Sequence, residues 1–146
     1  WCLNIQGEVI ESLAQNKEII RNITKIIAVS ENARWLKTIQ QEHGSFGHFL
    51  AQWPSSDLVG LWATMKKNGC RLGGMTSAYF LREQGKDAFI LSRDVVQSLV
   101  EQKIIDKFPT SKKAFAAVQD AFNQWHDESK QPYCVISKVI ACTIPV

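Results

Sequence analysis

The sequence predicts an all-α fold, and three observations support that prediction. Apolar residues recur at the three- and four-residue intervals of amphipathic helices along most of the chain. No two segments alternate polar and apolar residues as a pair of strands would. Capping residues precede the apolar runs, and glycines follow several of them. With 146 residues, of which 45% are hydrophobic and 21% charged, the chain suits a single domain with a substantial core.

The first predicted helices occupy the N-terminal third. A short helix covers residues 3–14, a polar hinge follows at residues 16–22, and a long helix covers residues 23–41. Gly44 ends the long helix with a left-handed cap, and Ser45 caps a short helix that reaches residue 50. In the long helix we expect these residues to face inward: Ile23, Ile26, Ile27, Ala33, Leu36 and Ile39.

The remaining predicted helices begin at similar capping or proline residues. Asp57 closes a cluster of capping residues and opens a helix that ends near residue 68. A helix resumes near Thr76 and ends at Gly85, and residues 88–91 form a brief apolar connector. Further helices begin at Ser92, at Pro109-Thr110-Ser111 and at Pro132.

The glycine-rich stretch at residues 69–74 predicts a tight hairpin between two helices. Exposed backbone N–H groups in such a turn, and at the start of the next helix, form an anion site. A DNA phosphate suits that site, and Lys66, Lys67 and Arg71 add positive charge nearby. The alternative is an ordinary helix–helix turn with solvated lysines.

Asp94 lies in the first turn of the helix that Ser92 caps. The helix macrodipole favours an acid there, so a purely structural role is one interpretation. In the functional interpretation the helix N-terminus keeps the carboxylate ionised. An ionised carboxylate can stabilise the positive sugar that forms when a glycosidic bond breaks, or orient the attacking water.

The cysteines and the charge balance constrain the class of protein only loosely. The four cysteines form no C-x-x-C pair and there are three histidines, so we expect no zinc site, and thiols that are reduced and mostly buried. The net charge of +3 tolerates a polyanionic partner without requiring one. No run approaches the roughly 18 apolar residues of a membrane span, and the first residues do not show the basic-then-apolar pattern of a signal peptide.

Most aromatic side chains follow helical spacing, which favours a place in the core over base stacking. These residues are Trp35, Phe46, Trp53, Trp62, Phe115, Phe122 and Trp125. Tyr79, just after the predicted hairpin, is the aromatic residue that fits this core assignment least well.

Three segments together resemble the 3-methyladenine DNA glycosylase I family, and they span nearly the whole chain. Residues 66–76 (KKNGCRLGGMT) resemble its hairpin. Upstream, IIRN at residues 19–22, with KI and NA in the helix that follows, resembles a second family segment. Downstream, GKDAFILSRDVV at residues 85–96, with PTSKK at residues 109–113, resembles a bacterial branch of the group.

The resemblance implies a helix-hairpin-helix DNA glycosylase-like helical bundle. Gly74, Ser77, Ala78 and Asp94 fit the frame of that superfamily, which implies that Asp94 is the catalytic aspartate. Thr76 stands where bifunctional members carry a lysine nucleophile, which implies a monofunctional enzyme without a lyase step. We expect one all-helical domain over residues 1–146, with the hairpin at residues 66–78.

The chain also departs from the family pattern. Leu72 stands where the superfamily has the first hairpin glycine, and nothing near Asp94 supplies the C-terminal ligands of the family's zinc site. The family's base pocket is built largely by an N-terminal segment with an acidic residue and aromatics. That segment would precede Trp1, so we expect the N-terminal part of the fold to be missing and the chain to be a C-terminal portion.

The implied activity is hydrolysis of the glycosidic bond of 3-methyladenine and related alkylated purines in double-stranded DNA, after base flipping. It requires no cofactor, and the implied setting is a monomer in the bacterial cytoplasm, associated with the nucleoid. The residues expected to bind DNA are Lys66, Lys67, Gly69, Arg71, Gly73, Gly74, Thr76 and Ser77, with Arg21 and Lys25. Two alternatives are a non-catalytic helix-hairpin-helix DNA-binding module and a helical interaction scaffold.

Overall fold

The computed structural model describes residues 1–145, and over that range every regular element is helical. The prediction of an all-α fold is therefore confirmed. Two short 3-10 helices, Cys2–Asn4 and Ser55–Asp57, accompany the α-helices. The α-helices are α1 Glu8–Gln15, α2 Ile23–His43, α3 Phe46–Gln52, α4 Leu58–Asn68, α5 Met75–Glu83, α6 Arg93–Glu101, α7 Lys112–Ser129 and α8 Tyr133–Ala141.

Side-chain caps mark the start of five of these helices, including α2, where Asn22 accepts from the N–H of Lys25 at 3.1 Å. Ser45, Asp57, Ser92 and Ser111 each accept a hydrogen bond from the backbone N–H three residues further on, at 3.0 to 3.3 Å. All four caps are predicted by the sequence. Because each satisfies an orphan N–H group, each contributes about 1 kcal/mol to the stability of its helix.

The core is centred on the connector between α5 and α6. Its residues 88–91 are all buried, although they form no helix. The ring of Phe89 stacks on Phe122 with centroids 4.0 Å apart, and Trp62 meets Phe89 edge-on at 5.1 Å. The core assignment of the aromatic residues is confirmed, because Trp62 and Phe122 are buried and the other five pack against this cluster.

Two predictions about the N-terminal third are wrong. The first helix is interrupted at Gly7, whose φ of +54° separates the 3-10 turn from α1. In α2, Ile26 and Ile39 are buried as expected, but Ile23 is 54% exposed and Leu36 is 40% exposed. The reason is that α2 packs on α1 and the first 3-10 turn along one part and on α3 along another, so no single face is covered throughout.

The expectation of mostly buried thiols is also wrong. Cys2 and Cys142 are exposed, Cys70 and Cys134 are half-buried, and all four are free. Cys2 and Cys142 lie near the ends of the described residues, Cys70 lies in a turn, and Cys134 is the second residue of α8.

Lys86 and Asp87, at the start of the connector, form hydrogen bonds with two other helices, α3 and α8. The Asp87 carboxylate accepts hydrogen bonds from the first two N–H groups of α8, Tyr133 at 3.0 Å and Cys134 at 2.9 Å. Lys86 donates to the carbonyl of Leu50 at 2.8 Å and to that of Trp53, at the end of α3. Partial burial lowers the pKa of Lys86 from its ordinary value.

Helices α4 and α7 pack antiparallel. The side chain of Gln119 accepts from the N–H of Val59 at 3.1 Å, near the start of α4. Phe115 lies about one turn before Gln119 in α7, and Trp62 lies about one turn after Val59 in α4. The rings of Phe115 and Trp62 are in contact, with centroids 6.4 Å apart. The start of α7 therefore lies level with the end of α4.

The connector runs beside α4 in the same direction. Ser55, just before α4, donates to the carbonyl of Asp87 at 2.9 Å, whereas Phe89 meets Trp62 in the middle of α4. The chain from Phe89 to Arg93 can span up to about 13 Å, and the rest of α4 covers about 10 Å. The start of α6 therefore falls near the end of α4, which we call the turn end of the bundle.

Loss of the Asp87 cap should destabilise the fold. Asp87→Ala leaves two N–H groups at the start of α8 without their acceptor, so we expect the free energy of unfolding to fall by about 1–3 kcal/mol. Asp120→Ala, which removes an exposed acid from α7, is the matched control and should change little. Urea denaturation measures both, and equal effects would contradict the capping role.

Candidate nucleic-acid interface

The segment between α4 and α5, residues 69–74, is a tight non-helical turn that we call the glycine turn. A Cβ atom added at Gly69 would lie 2.8 Å from the carbonyl oxygen of Met65 and 2.6 Å from the Leu72 side chain. Gly74 has φ +60° and ψ −141°, a conformation essentially restricted to glycine. The backbone path of the turn therefore requires glycine at both positions.

Helix α2 clamps the glycine turn from outside. The side-chain amide of Asn32 donates to the carbonyl of Cys70 at 3.0 Å, and its oxygen accepts from the N–H of Cys70 at 2.7 Å. Glu31 hydrogen-bonds the thiol, and this bond, together with burial, raises the pKa of Cys70. The thiol therefore stays protonated at neutral pH.

A second contact braces the turn from inside. Ser77 is fully buried in the first turn of α5, and its hydroxyl donates to the carbonyl of Leu72. Its hydroxyl group therefore faces the protein interior and is not accessible to DNA. The sequence places Ser77 among the DNA-binding residues, whereas the contact gives its side chain a bracing role.

The outer surface of the turn is cationic. Lys66 and Lys67 are exposed in the last turn of α4, and Arg71 is exposed in the turn itself. Arg71 has φ +60°, which costs a residue with a Cβ atom about 1–2 kcal/mol. Strain of this kind is concentrated at ligand-binding segments.

The other predicted contacts spread over a wider surface. Gly74 and Thr76 are exposed beside the turn, and Gly73 is half-exposed. Lys25 is exposed two turns before Asn32 on α2, about 10 Å along the helix axis. Arg21 precedes α2, so these two cations lie beyond the turn rather than on it.

Asp94 is exposed in the first turn of α6. The path of the connector brings the start of α6 to the turn end of the bundle, so Asp94 and the glycine turn lie at the same end. Its carboxylate is open to solvent rather than enclosed in a pocket. Within residues 1–145, no three His, Cys, Asp or Glu side chains are grouped so that they could hold a metal ion.

Sequence reasoning missed the role of Asn32 and gave only a hint about Tyr79. Asn32 interrupts the apolar pattern of α2, but its partner lies 38 residues away, so no local signal identifies the contact. Tyr79 is 51% exposed, three residues after Thr76 on the outer face of α5. It is therefore available to a partner that binds the glycine turn.

No helix within residues 1–145 has both the length and the apolar character that crossing a membrane requires.

Removing the Asn32 clamp should loosen the glycine turn. Asn32→Ala leaves two half-buried backbone groups of Cys70 without partners, so we expect the free energy of unfolding to fall by about 1–3 kcal/mol. Asn68→Ala is the matched control, because Asn68 is exposed and bonds only within its own helix. Urea denaturation and hydrogen exchange at Cys70 measure the effect, and an equal response of the two variants would refute the clamp.

Comparison with known families agrees with the resemblance in the sequence. A family model described as methyladenine glycosylase matches residues 2–71. No curated protein and no solved structure gives a significant match. The matched residues include helices α1 to α4, the start of the glycine turn and both partners of the Asn32–Cys70 clamp. Over residues 2–71, the chain is similar to the methyladenine glycosylase family.

Proposed function

We propose that the protein hydrolyses the N-glycosidic bond of alkylated purines, with 3-methyladenine as the substrate, in double-stranded DNA. The observation that carries the proposal is the methyladenine glycosylase match over residues 2–71, which supports a DNA glycosylase function. The cationic, glycine-rich turn that follows α4 adds a surface suited to a DNA backbone. We further propose that the protein works as a monomer in the bacterial cytoplasm.

In this proposal the glycine turn binds DNA phosphates. Glycine at Gly73 and Gly74 leaves the backbone uncovered, so a phosphate can approach the N–H groups at the start of α5. Lys66, Lys67 and Arg71 supply positive charge around it, and contacts of this kind position a protein without reading sequence. The hydroxyl of Thr76 is exposed and adds a further donor.

The chemistry needs only modest assistance from the protein. Methylation at N3 makes the base cationic and therefore a good leaving group. The glycosidic bond breaks with its electron pair leaving on the base, and a water oxygen forms the new bond to the sugar carbon. The enzyme has to extrude the nucleotide from the stack, exclude other bases by shape and stabilise the positive sugar.

We assign the electrostatic part to Asp94. The carboxylate is exposed at the start of α6, at the turn end where the phosphate contacts are proposed. There it would face the deoxyribose, stabilise its positive charge and orient or accept a proton from the attacking water. Thr76 carries no amine, so no Schiff base forms at that position and the proposed enzyme is monofunctional.

Asp94→Asn should separate catalysis from binding. The amide keeps the size of the side chain but removes its charge, so we expect release of 3-methyladenine from methylated duplex DNA to slow by about 10²- to 10³-fold. Affinity for the duplex should change less than twofold. Asp120→Asn on α7 is the control for a general effect of charge. An undiminished rate would remove Asp94 from the mechanism, and binding without any base release would favour the non-catalytic DNA-binding module.

Gly73 and Gly74, the last two residues of the glycine turn, should respond differently to replacement by alanine. Gly74→Ala forces a positive φ on a residue with a Cβ atom, so we expect it to lose about 1–3 kcal/mol of stability as well as DNA affinity. At Gly73 an added Cβ atom would make only ordinary contact, 3.6 Å from Lys66. We expect Gly73→Ala to keep its melting temperature and to bind duplex DNA about tenfold more weakly.

Thermal denaturation and fluorescence anisotropy with a labelled duplex measure the two effects. Gly47→Ala, in the first turn of α3 where an added Cβ atom has room, controls for the substitution itself. If Gly73→Ala binds DNA as tightly as Gly47→Ala, DNA does not approach the backbone at Gly73.

A further inference from the structure

The start of α7 carries a second group of lysines. Lys112 and Lys113 are the first two residues of the helix, and Lys107 lies in the preceding loop; all three are exposed. The positive end of the helix macrodipole disfavours cations at these positions. The first acid of α7 is Asp120, more than two turns into the helix. Helix stability therefore does not explain the placement of the lysines.

The charges of these lysines are not neutralised within the protein. Over residues 1–145, the one ion pair within 4 Å joins His43 to Glu42, on another helix. Asp106 is exposed beside Lys107 and forms no such pair. With three lysines and one neighbouring acid, the group keeps a net positive charge that an anionic partner would meet.

The antiparallel packing of α4 and α7 brings this group to the turn end of the bundle. Phe115 meets Trp62 in the middle of α4, so Lys112 and Lys66 both lie about one turn beyond that contact. Packed helices have axes about 8–10 Å apart. The start of α7 and the end of α4 therefore lie side by side, with their axes about three base-pair steps of DNA apart.

A cleft of about 320 Å³ accompanies the lysines. Its polar wall includes Lys107, Lys113 and the hydroxyl groups of Thr110 and Ser111, together with one acid, Asp106, and its apolar wall includes Phe108, which is itself exposed. A cationic and hydroxyl-lined wall suits phosphate oxygens, and an apolar wall suits the face of a sugar. The cleft thus has the chemistry of a nucleic-acid backbone site.

We propose that Lys107, Lys112 and Lys113 form a second surface that binds the phosphate backbone of double-stranded DNA, beside the part of the duplex held at the glycine turn. The inference rests on the proposed function, since it extends the DNA contact of the same end of the bundle. It assigns a role to a loop and a helix start that lie outside the family match.

The test is the salt dependence of duplex binding by the purified chain. Each lysine that contacts a phosphate releases about one counterion when DNA binds. Removing such a lysine should therefore reduce the magnitude of the negative slope of log K against log salt by about 0.9. We expect that decrease for Lys112→Gln and for Lys113→Gln, and a decrease of about 1.8 for the double variant. Lys130→Gln, at the opposite end of the same helix, is the matched control and should keep the wild-type slope.

Base release and thermal denaturation complete the design. Because glutamine relieves charges that oppose the macrodipole, the variants should melt at the same temperature as the wild type or slightly higher. Suppose that the wild type binds DNA and releases 3-methyladenine. If the double variant then has the same salt slope as Lys130→Gln, this inference is overturned and the proposed function is retained. A wild-type chain that binds no duplex at low salt would overturn both.

Discussion

The buried connector between α5 and α6 is the constraint on which the rest of the structure depends. A non-helical segment inside a core must find partners for its own polar groups, because an unpaired buried amide is costly. Here side chains supply them: Ser137 bonds both the N–H and the carbonyl of Ile90, and Arg82 donates to the carbonyl of Ala88 at 2.7 Å. Ser55 does the same for the carbonyl of Asp87. These bonds fix the position of residues 87–90 of the connector relative to the surrounding helices.

That path determines which helix ends meet. Since the connector runs beside α4 toward the glycine turn, α6 begins at the turn end and Asp94 with it. The contact of Gln119 with the start of α4 fixes α7 in the opposite direction, so its lysine-rich start reaches the same end. The proposed phosphate contacts and the proposed catalytic acid come from sequence positions far apart. Contacts made deep inside the bundle bring the helix ends that carry them to the same end of the bundle.

Much of the fold could be predicted from the sequence because its signals are local. Ser45, Asp57, Ser92 and Ser111 act on N–H groups three residues away, so the residue type and its neighbours suffice. The exposure of Ile23 and the clamp of Asn32 could not be predicted, because each depends on which distant element packs alongside. The candidate site shows the same dependence on tertiary structure. Glycine content predicts the turn, but the burial of the Ser77 side chain depends on the backbone conformation that the turn adopts.

The family match ends inside the glycine turn, and this boundary separates two parts of the proposed mechanism. The matched residues include the clamp and the cations around the turn, which are the parts proposed to bind a DNA backbone. Asp94 and the start of α7 follow the boundary, so their positions relative to the turn depend on packing rather than on continuity of the chain. The stacking of Phe89 on Phe122 and its contact with Trp62 provide that packing, because they join the connector, α7 and α4 in one cluster. A shift of this cluster would move the Asp94 carboxylate relative to the proposed phosphate contacts without altering any residue proposed to contact DNA.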